Sequence, residues 1–403
     1  MRERARKVLV SAGDPSGDLI LARVIREINL EMGENAPEFV GLAGPACAAE
    51  GVRLIAQSHE VAVVGLWEVL RHLPKIFGVL RRMENELRSG VDSLLCVDFP
   101  DFNFRLAELA YRNAVPIDYI VAPQVWAWRR GRLTTLKRLL RRLYVALPFE
   151  EELFRDAGVD AVFFGHPVRD LLPPRSRRQA RETLGLGPEE FVLCLLPGSR
   201  HNEISKNLPL MLQAWRQRLL SNSGKVSFLN VEKWRAVVPL APGWTEVRVR
   251  EILDTASLKL LDEGLQTGAL KIVSDSRLAL MAADFGWITS GTATLEAAYY
   301  QLPHILVYKL SRLSAFLIRQ VTTYFDTSES FAGLPNILMQ KRVIPELLQE
   351  DLSAKRLMIE TLELLLNPGA MNTMRQNLKW IPKRMGEPGA TNRIAKDLIS
   401  RWH

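Results

Sequence analysis

The sequence predicts an α/β protein made of two Rossmann-like domains. Short runs of Val, Ile, Leu and Phe alternate with helical stretches, which is typical of a parallel sheet wrapped by helices. This alternation occurs once before residue 167 and again after residue 185, with Pro173-Pro174 and several arginines between the two series. A chain of 403 residues is also too long for one ordinary hydrophobic core, and it fits two domains of about 200 residues each.

The first domain, residues 1–170, is expected to contain strands at 8–11, 39–42, 93–97, 117–121, 143–147 and 161–164. The second domain, residues 171–365, is expected to contain strands at 191–196, 234–239, 270–273, 285–289 and 305–308. Residues 366–403 are predicted to be helices that pack back on the first domain or on a partner subunit. Because ligands bind at the carboxyl ends of the strands in open sheets, we expect a cleft between the domains to gather the functional residues.

The composition argues against several classes of protein. With 47% hydrophobic and 24% charged residues, and no apolar run near the ~18 residues of a membrane span, the chain is expected to be a soluble cytoplasmic protein. The three cysteines have no CxxC spacing, and the six histidines form no HxxxH or HExxH pair. We therefore expect buried, reduced cysteines, no metal site and no cofactor.

The stretch Ser290-Gly291-Thr292 follows an apolar strand and opens an alanine-rich helix. Gly291 allows a turn and the close approach of an anion, while the helix dipole adds partial positive charge. Ser290 and Thr292 are natural N-cap residues. Glu296 lies one turn further along the face of Thr292, where it can accept hydrogen bonds from a sugar. The pattern predicts a nucleotide diphosphate site, although an ordinary capped helix has the same signature.

A second helix N-terminus that could bind an anion follows the first strand of the second domain, within LPGSR at 196–200. Ser199 can cap the helix, and Arg200 can present paired donors to a diphosphate. Ser199 and Glu203 can also form a capping arrangement with no ligand. Two such helix N-termini in one domain favour anion binding.

Asp98 follows a buried strand, and Pro100 ends the ladder there, so the carboxylate is expected at the carboxyl edge of the sheet. The flanking phenylalanines should desolvate the carboxylate and raise its pKa, as a general base requires. The alternative is that Asp98 or Asp101 only caps the next helix, and Asp101 is the expected cap.

The loop GDPSGD at 13–18 is another turn from a strand into a helix. It lacks the GxGxxG pattern, which argues against a dinucleotide cofactor. Asp14 and Asp18 indicate either hydrogen bonding to a polar substrate or helix capping, and we expect Asp18 to be a cap.

The net charge of +8 is concentrated in one acid-free stretch of fourteen residues. Such a patch attracts phosphates on nucleic acid, anionic lipid or a phosphorylated substrate, although a solvated helix face has the same composition. No nucleic-acid-binding motif accompanies it. The basic residues are Arg129, Arg130, Arg132, Lys137, Arg138, Arg141 and Arg142.

Residues 61–80 form an amphipathic segment with a broad apolar face. Such a segment can rest at a membrane interface or line an acyl-chain pocket, and a core helix shows the same pattern. The candidate membrane or acyl contacts are Val64, Leu66, Trp67, Val69, Leu70 and Leu73.

Taken in order, these motifs resemble the lipid-A-disaccharide synthase family of bacterial outer-membrane lipid assembly. Two departures are visible: Asp14 stands where the family usually has glutamate, and residues 221–233 are atypical. The matching pieces are SAGDPSGD at 11–18, GLAGP at 41–45, VGLWEVL at 64–70, VDFPDFN at 97–103, APQVWAWR at 122–129, LPFE at 147–150, FGHP at 164–167, LPGSR with EI at 196–204, SGTATLEAA at 290–298, VYK at 307–309 and LPN at 334–336.

The resemblance implies a GT-B glycosyltransferase that moves 2,3-diacylglucosamine from its UDP derivative to 2,3-diacylglucosamine 1-phosphate with inversion. It implies that Asp98 is the general base, and that charge on the leaving diphosphate is met by protein groups, so that no metal is required. It places the nucleotide against Ser199, Arg200, Ser290, Gly291, Thr292, Glu296 and Asn336, with Tyr308 also on the donor side. It places the acceptor near Asp14, Ser16, Gln124 and Trp126.

The resemblance further implies a peripheral protein at the cytoplasmic face of the inner membrane, with a homodimer as one option and no nucleic-acid partner. One alternative is another GT-B-like enzyme acting on UDP-N-acetylglucosamine, such as a 2-epimerase. The other alternative is a non-catalytic protein that binds phosphate or nucleic acid.

Overall fold

The structure is a computed structural model that describes residues 6–61, 66–123, 131–174, 176–218, 231–309 and 331–402. The described chain divides into two compact units. Among the described residues, unit 1 contains those from 6 to 171 together with 385–402, and unit 2 contains those from 172 to 309 and from 331 to 384. No helix in these ranges is both long and apolar enough to cross a membrane.

Unit 1 is built on a parallel sheet in the order β3-β2-β1-β4-β5-β6-β7. Its central strands are continuous apolar runs because helices cover both faces of the sheet. Leu9, Leu94 and Tyr119 are among the fully buried residues of this core. The elements are β1 (Lys7–Ala12), α1 (Pro15–Met32), β2 (Glu38–Ala43), α2 (Pro45–Ala49), β3 (Arg53–Gln57), α3 (Leu66–Arg88), β4 (Ser93–Val97), α4 (Pro100–Arg112), β5 (Ile117–Ile120), α5 (Arg132–Leu139), β6 (Arg142–Tyr144), α6 (Pro148–Asp156) and β7 (Ala161–Val162).

Unit 2 is built on a second parallel sheet, in the order β10-β9-β8-β11-β12-β13. Trp234, Phe285 and Trp287 fill its core, and the Trp287 indole donates to Thr361 Oγ1 at 2.8 Å. Its elements are α7 (Arg177–Leu184), β8 (Phe191–Leu196), α8 (His201–Gln217), β9 (Trp234–Pro239), α9 (Glu246–Ile252), α10 (Thr255–Gln266), β10 (Leu270–Val273), α11 (Ser276–Ala282), β11 (Phe285–Thr289), α12 (Thr292–Tyr299), β12 (His304–Tyr308), α13 (Leu334–Met339), β13 (Glu346–Leu348), α14 (Ala354–Leu365), α15 (Pro368–Leu378) and α16 (Ile381–Arg384).

The last helix, α17 (Ala390–Arg401), lies in unit 1. The Asp170 carboxylate holds its start by accepting from the N–H groups of Gly389 at 2.6 Å and Thr391 at 2.7 Å. The two preceding helices belong to unit 2, where Met371 joins the core. This corrects the predicted segment 366–403, since only residues from 385 onward belong to unit 1.

Each sheet reverses its winding direction once. In unit 1 the reversal falls between β1 and β4, and in unit 2 it falls between β8 and β11. Ligands of open α/β sheets bind beyond the carboxyl ends of the strands at such switch points. The loops predicted to be functional follow these four strands, so each unit gathers its candidate residues at one place.

Candidate active site

The switch point of unit 1 contains a strained turn at Asp98. Asp98 has φ 44° and Phe99 has φ 52°, so two consecutive residues with side chains adopt the left-handed conformation. Pro100 then begins α4. Such backbone persists only when the surrounding structure holds it, and it clusters at functional sites. Asp98 is partly exposed, and its N–H donates to the Ile120 carbonyl at 3.0 Å.

The carbonyl oxygen of Asp98 is held from two sides. Asn103 Nδ2 donates to it at 2.7 Å, and the Tyr119 hydroxyl donates to it as well. Ser11 Oγ donates to Asn103 Oδ1 at 2.5 Å, which orients the amide. Sequence reasoning gave Tyr119 no role, because nothing in a strand sequence shows which loop its hydroxyl reaches.

Asp101 was the expected cap of α4, and the structure corrects this. The N-cap residue of α4 is Phe99, and it makes no side-chain cap hydrogen bond. The Asp101 carboxylate instead pairs with the Arg132 guanidinium at 2.5 Å.

The aspartates of the β1–α1 loop also differ from expectation. Asp14, not Asp18, caps α1, since Asp14 Oδ1 accepts from the Gly17 N–H at 2.6 Å and the Ser16 hydroxyl at 3.0 Å. The buried Asp18 carboxylate instead accepts from the N–H groups that open α2, including those of Gly44 at 2.8 Å and Ala46 at 2.9 Å. Asp18 therefore caps a helix that begins 27 residues later.

In unit 2, the start of α12 has no side-chain cap among the described residues. Gly291 has φ 132°, a backbone conformation that favours glycine, and a Cβ added there would meet open space. Ser290 Oγ donates to the Ala332 carbonyl at 3.3 Å, so it does not cap, and Thr292 does not cap either. The expected caps are thus wrong, since neither side chain caps α12.

The start of α8 is different because a carboxylate of the protein already occupies it. Glu203 Oε2 accepts from the N–H groups of Ser199 at 2.9 Å and Arg200 at 3.3 Å. Glu203 Oε1 pairs with Arg200 Nη1 at 3.2 Å. Gly198 makes room for this carboxylate, since a Cβ there would lie 2.5 Å from Glu203. The arrangement matches the capping alternative, with Glu203 rather than Ser199 as the cap.

Two donor-side candidates have distinct environments. Glu296 is partly buried, and burial raises its pKa while the charge of Arg277 opposes the shift. Tyr308 lies at the end of β12, where burial and the charge of Glu203 raise its pKa. Both side chains belong to unit 2, as the uncapped entrance of α12 does.

Asn336, a predicted nucleotide contact, is bonded to groups of unit 2. It is fully buried, and its Nδ2 donates to the Ile344 carbonyl at 3.0 Å and Glu346 Oε1 at 2.7 Å. Its Oδ1 accepts from the N–H groups of Val343 and Ile344 at 2.7 and 3.0 Å. Because every polar atom of this amide is bonded internally, Asn336 shapes the segment between α13 and β13, and its contact with a nucleotide stays a prediction.

The described part of the basic stretch is largely neutralised by acids from elsewhere in unit 1. Arg138 pairs with Glu108, Arg141 with the buried Asp118, and Arg142 with Asp160 and Asp397. Arg132 pairs with Asp101. Arg129 and Arg130 lie outside the described residues, so the phosphate-attracting patch stays a prediction.

Several candidate residues lie outside the described residues. These include Gln124 and Trp126, together with Val64 and the side chains of Leu66, Trp67, Val69 and Leu70. In the described part of α3, Leu73 is partly exposed, Val79 and Met83 are buried, and Phe77 is half exposed. Membrane or acyl contact by this segment thus stays a prediction.

The chain matches the family model for lipid-A-disaccharide synthetase over residues 8–384. It is 35% identical over 397 residues to the lipid-A-disaccharide synthase of Myxococcus xanthus (strain DK1622), covering 98% of this chain and 97% of the relative. This match does not favour the alternatives of an epimerase or of a non-catalytic binding protein.

Solved structures with low identity confirm the predicted fold. The UDP-GlcNAc 2-epimerase from Neisseria meningitidis bound to UDP-GlcNAc aligns with a TM-score of 0.63 at 12% identity, covering 98% of this chain and 100% of that chain. The calicheamicin glycosyltransferase CalG4 aligns with a TM-score of 0.55 at 14% identity, covering 99% and 98%. Because the family match spans nearly the whole sequence, the chain belongs to the lipid-A-disaccharide synthase family of glycosyltransferases.

Proposed function

We propose that this chain is an inverting glycosyltransferase that joins two acylated glucosamines. The donor is UDP-2,3-diacylglucosamine and the acceptor is 2,3-diacylglucosamine 1-phosphate. The products are UDP and a β-1,6-linked tetraacyl disaccharide 1-phosphate. The observation that carries the proposal is the family match over residues 8–384, a range that contains the Asp98 turn and the α12 entrance.

Asp98 acts as the general base. Its carboxylate takes the proton of the acceptor 6-hydroxyl, and the oxygen then attacks the anomeric carbon of the donor. The bond from that carbon to the UDP oxygen breaks as the new bond forms, so the electron pair leaves with UDP. One displacement inverts the anomeric centre. The support is the position of Asp98 at a switch point, in a backbone conformation that glycine would adopt more easily.

The leaving diphosphate is stabilised by unit 2. The N–H groups that open α12 around Gly291 and Thr292 point at the diphosphate, with Ser290 beside them. Glu296 accepts hydrogen bonds from the ribose, and Tyr308 lies on the donor side. The support is that α12 has no side-chain cap among the described residues.

Arg200 exchanges its ion pair with Glu203 for an ion pair with the diphosphate. Its half-exposed side chain pairs with Glu203 in this structure. Since a diphosphate carries more charge than a carboxylate, Arg200 turns to the nucleotide when the donor binds. Ser199 stays in the loop that Glu203 holds. Glu203 thus keeps the loop folded while the site is empty.

The acceptor side and the cellular setting complete the proposal. Asp14 and Ser16 at the start of α1, together with Gln124 and Trp126, shape the acceptor site. The apolar face that begins at Val64 meets the acyl chains or the membrane surface. The protein is cytoplasmic and binds peripherally to the inner membrane, and a homodimer is compatible with this arrangement.

The test is a reaction with both defined substrates. Purified protein is incubated with the UDP-linked diacyl sugar and the diacyl sugar 1-phosphate in the presence of EDTA, and the products are resolved by mass spectrometry. We expect UDP and a disaccharide monophosphate in equal amounts. UDP release without a disaccharide, or formation of an epimerised UDP-sugar, would contradict the proposal.

A further inference from the structure

We propose that Tyr119 and Asn103 are positioning residues that hold the general base Asp98 in its left-handed turn. Both side chains donate hydrogen bonds to the carbonyl oxygen of Asp98. The inference rests on the proposed function, because it assigns these residues to the reaction through the carboxylate of Asp98.

The turn needs support because its backbone is unfavourable for the residues that form it. Asp98 and Phe99 both have φ between 40° and 60°, at 44° and 52°. Glycine would adopt this conformation without steric penalty, but it would bring no carboxylate. Aspartate at position 98 therefore adopts an unfavourable backbone conformation, and other parts of unit 1 must stabilise that conformation.

The support comes from buried groups on the two strands that flank β4 and on the helix that follows it. Tyr119 lies on β5 and Ser11 on β1, on either side of β4, which ends just before Asp98. Asn103 lies on the first turns of α4 and reaches back to the Asp98 carbonyl at 2.7 Å and the Val97 carbonyl at 3.3 Å. Ser11 Oγ fixes the Asn103 amide by donating to its Oδ1 at 2.5 Å.

Water does not compete for these hydrogen bonds, because the donor side chains are buried. Asn103 and Ser11 are 0% exposed and Tyr119 is 1% exposed. Burial raises the pKa of Tyr119 well above its usual value, so its hydroxyl stays protonated and remains a donor. Two buried donors that meet one carbonyl oxygen fix the peptide between Asp98 and Phe99, and this peptide sets the direction in which the Asp98 side chain leaves the backbone.

The Phe99 ring closes the turn from the other side. It lies against Gly13 of the β1–α1 loop, where a Cβ would come within 2.2 Å of the ring. It also packs against Phe102, with ring centroids 5.7 Å apart. Both residues of the left-handed pair are thus fixed, Asp98 by its carbonyl and Phe99 by its ring.

The main variant is Tyr119→Phe, which removes the hydroxyl and keeps the ring. Tyr144→Phe is the matched control, because Tyr144 lies on the adjacent strand β6, is also 1% exposed, and donates to Asp397 Oδ2 at 2.8 Å, away from Asp98. For each variant we would measure kcat, the KM of both substrates, UDP affinity and the midpoint of urea unfolding.

We expect Tyr119→Phe to lower kcat about tenfold, equivalent to about 1.4 kcal/mol of transition-state stabilisation, with both KM values and UDP affinity within about twofold of the unmodified protein. Tyr144→Phe should lower the urea midpoint comparably while kcat stays within about twofold. Ser11→Ala should lower kcat less, by about threefold, because it acts through Asn103. A kcat for Tyr119→Phe within twofold of the unmodified protein, or an equal loss in Tyr144→Phe, would overturn the inference.

Asp98→Asn separates this inference from the proposed function. If Tyr119 acts through the carboxylate, adding Tyr119→Phe to Asp98→Asn should slow turnover no further, whereas a further tenfold loss would indicate an independent role and overturn the inference. If Asp98→Asn keeps normal turnover, the proposed general base is wrong and the inference is overturned with it. If Asp98→Asn is inactive while Tyr119→Phe is normal, only the positioning role is wrong.

Discussion

Replacing Gly13 with alanine should damage catalysis without touching a charged group. A Cβ at this position would lie 2.2, 2.4 and 2.5 Å from three carbons of the Phe99 ring. Since carbon atoms pack at about 3.5 Å or more, the ring must retreat by roughly 1.3 Å. Its retreat is opposed by Phe102, which is 4% exposed and packs on the same ring.

The displaced ring carries the backbone of Asp98 with it, because the two residues are adjacent. Overpacking of this kind destabilises by about 1–3 kcal/mol, and a misplacement of about 1 Å in a catalytic group lowers the rate by about 10²-fold. We therefore expect Gly13→Ala to fold, to unfold at a lower urea concentration, and to lose about two orders of magnitude in kcat. UDP affinity should be unchanged, because the residues proposed to bind the nucleotide lie in unit 2.

The assay compares disaccharide formation, UDP titration and urea unfolding in Gly13→Ala and Gly78→Ala. Gly78 lies within α3, and a Cβ added there meets no atom within 4 Å, so this control should keep full turnover. Turnover of Gly13→Ala within twofold of the unmodified protein would refute the coupling between the Phe99 ring and Asp98.

Three further predictions concern charge. Burial raises the pKa of Glu296, so its carboxylate becomes protonated at a higher pH than that of an ordinary glutamate. UDP affinity measured by calorimetry should therefore fall as the pH is lowered through that range. Glu296→Gln should weaken UDP binding about tenfold and abolish this pH dependence. Burial lowers the pKa of His304 from 6.5 to about 4, so the folded state binds fewer protons than the unfolded state between these pH values. The free energy of unfolding should therefore decrease by up to about 3 kcal/mol as the pH falls from 6.5 to 4. Urea unfolding of His304→Gln should depend less steeply on pH. Arg138 is already paired with Glu108, so Arg138→Ala should change binding to anionic vesicles by less than about twofold, whereas a residue in contact with lipid would contribute about 1 kcal/mol.

The central strands could be predicted from sequence because strands buried on both faces are continuous apolar runs. Two of the four edge strands, β3 and β13, could not. In β3 only Ala56 is buried, and β13 has only three residues. Neither contains the apolar run on which a strand prediction depends.

The location of the candidate site followed from sequence, but several contacts within it did not. Motifs after strands mark the carboxyl edge of a sheet, so the Asp98 and Gly291 loops could be predicted. Asp18 accepts from Gly44, 26 residues away. The acids that pair with the basic stretch lie 18 to 255 residues from their partners in sequence. Tyr119 could not be assigned because its partner depends on strand order.

The most direct measurement combines UDP titration and disaccharide formation on one preparation of Asp98→Asn. Asparagine keeps the size of the side chain and removes the charge that takes the proton. We expect a UDP dissociation constant within about twofold of the unmodified protein and turnover lower by about 10²–10⁴-fold. Turnover near normal, or loss of UDP binding together with activity, would contradict a general base in unit 1 that acts separately from the nucleotide site in unit 2.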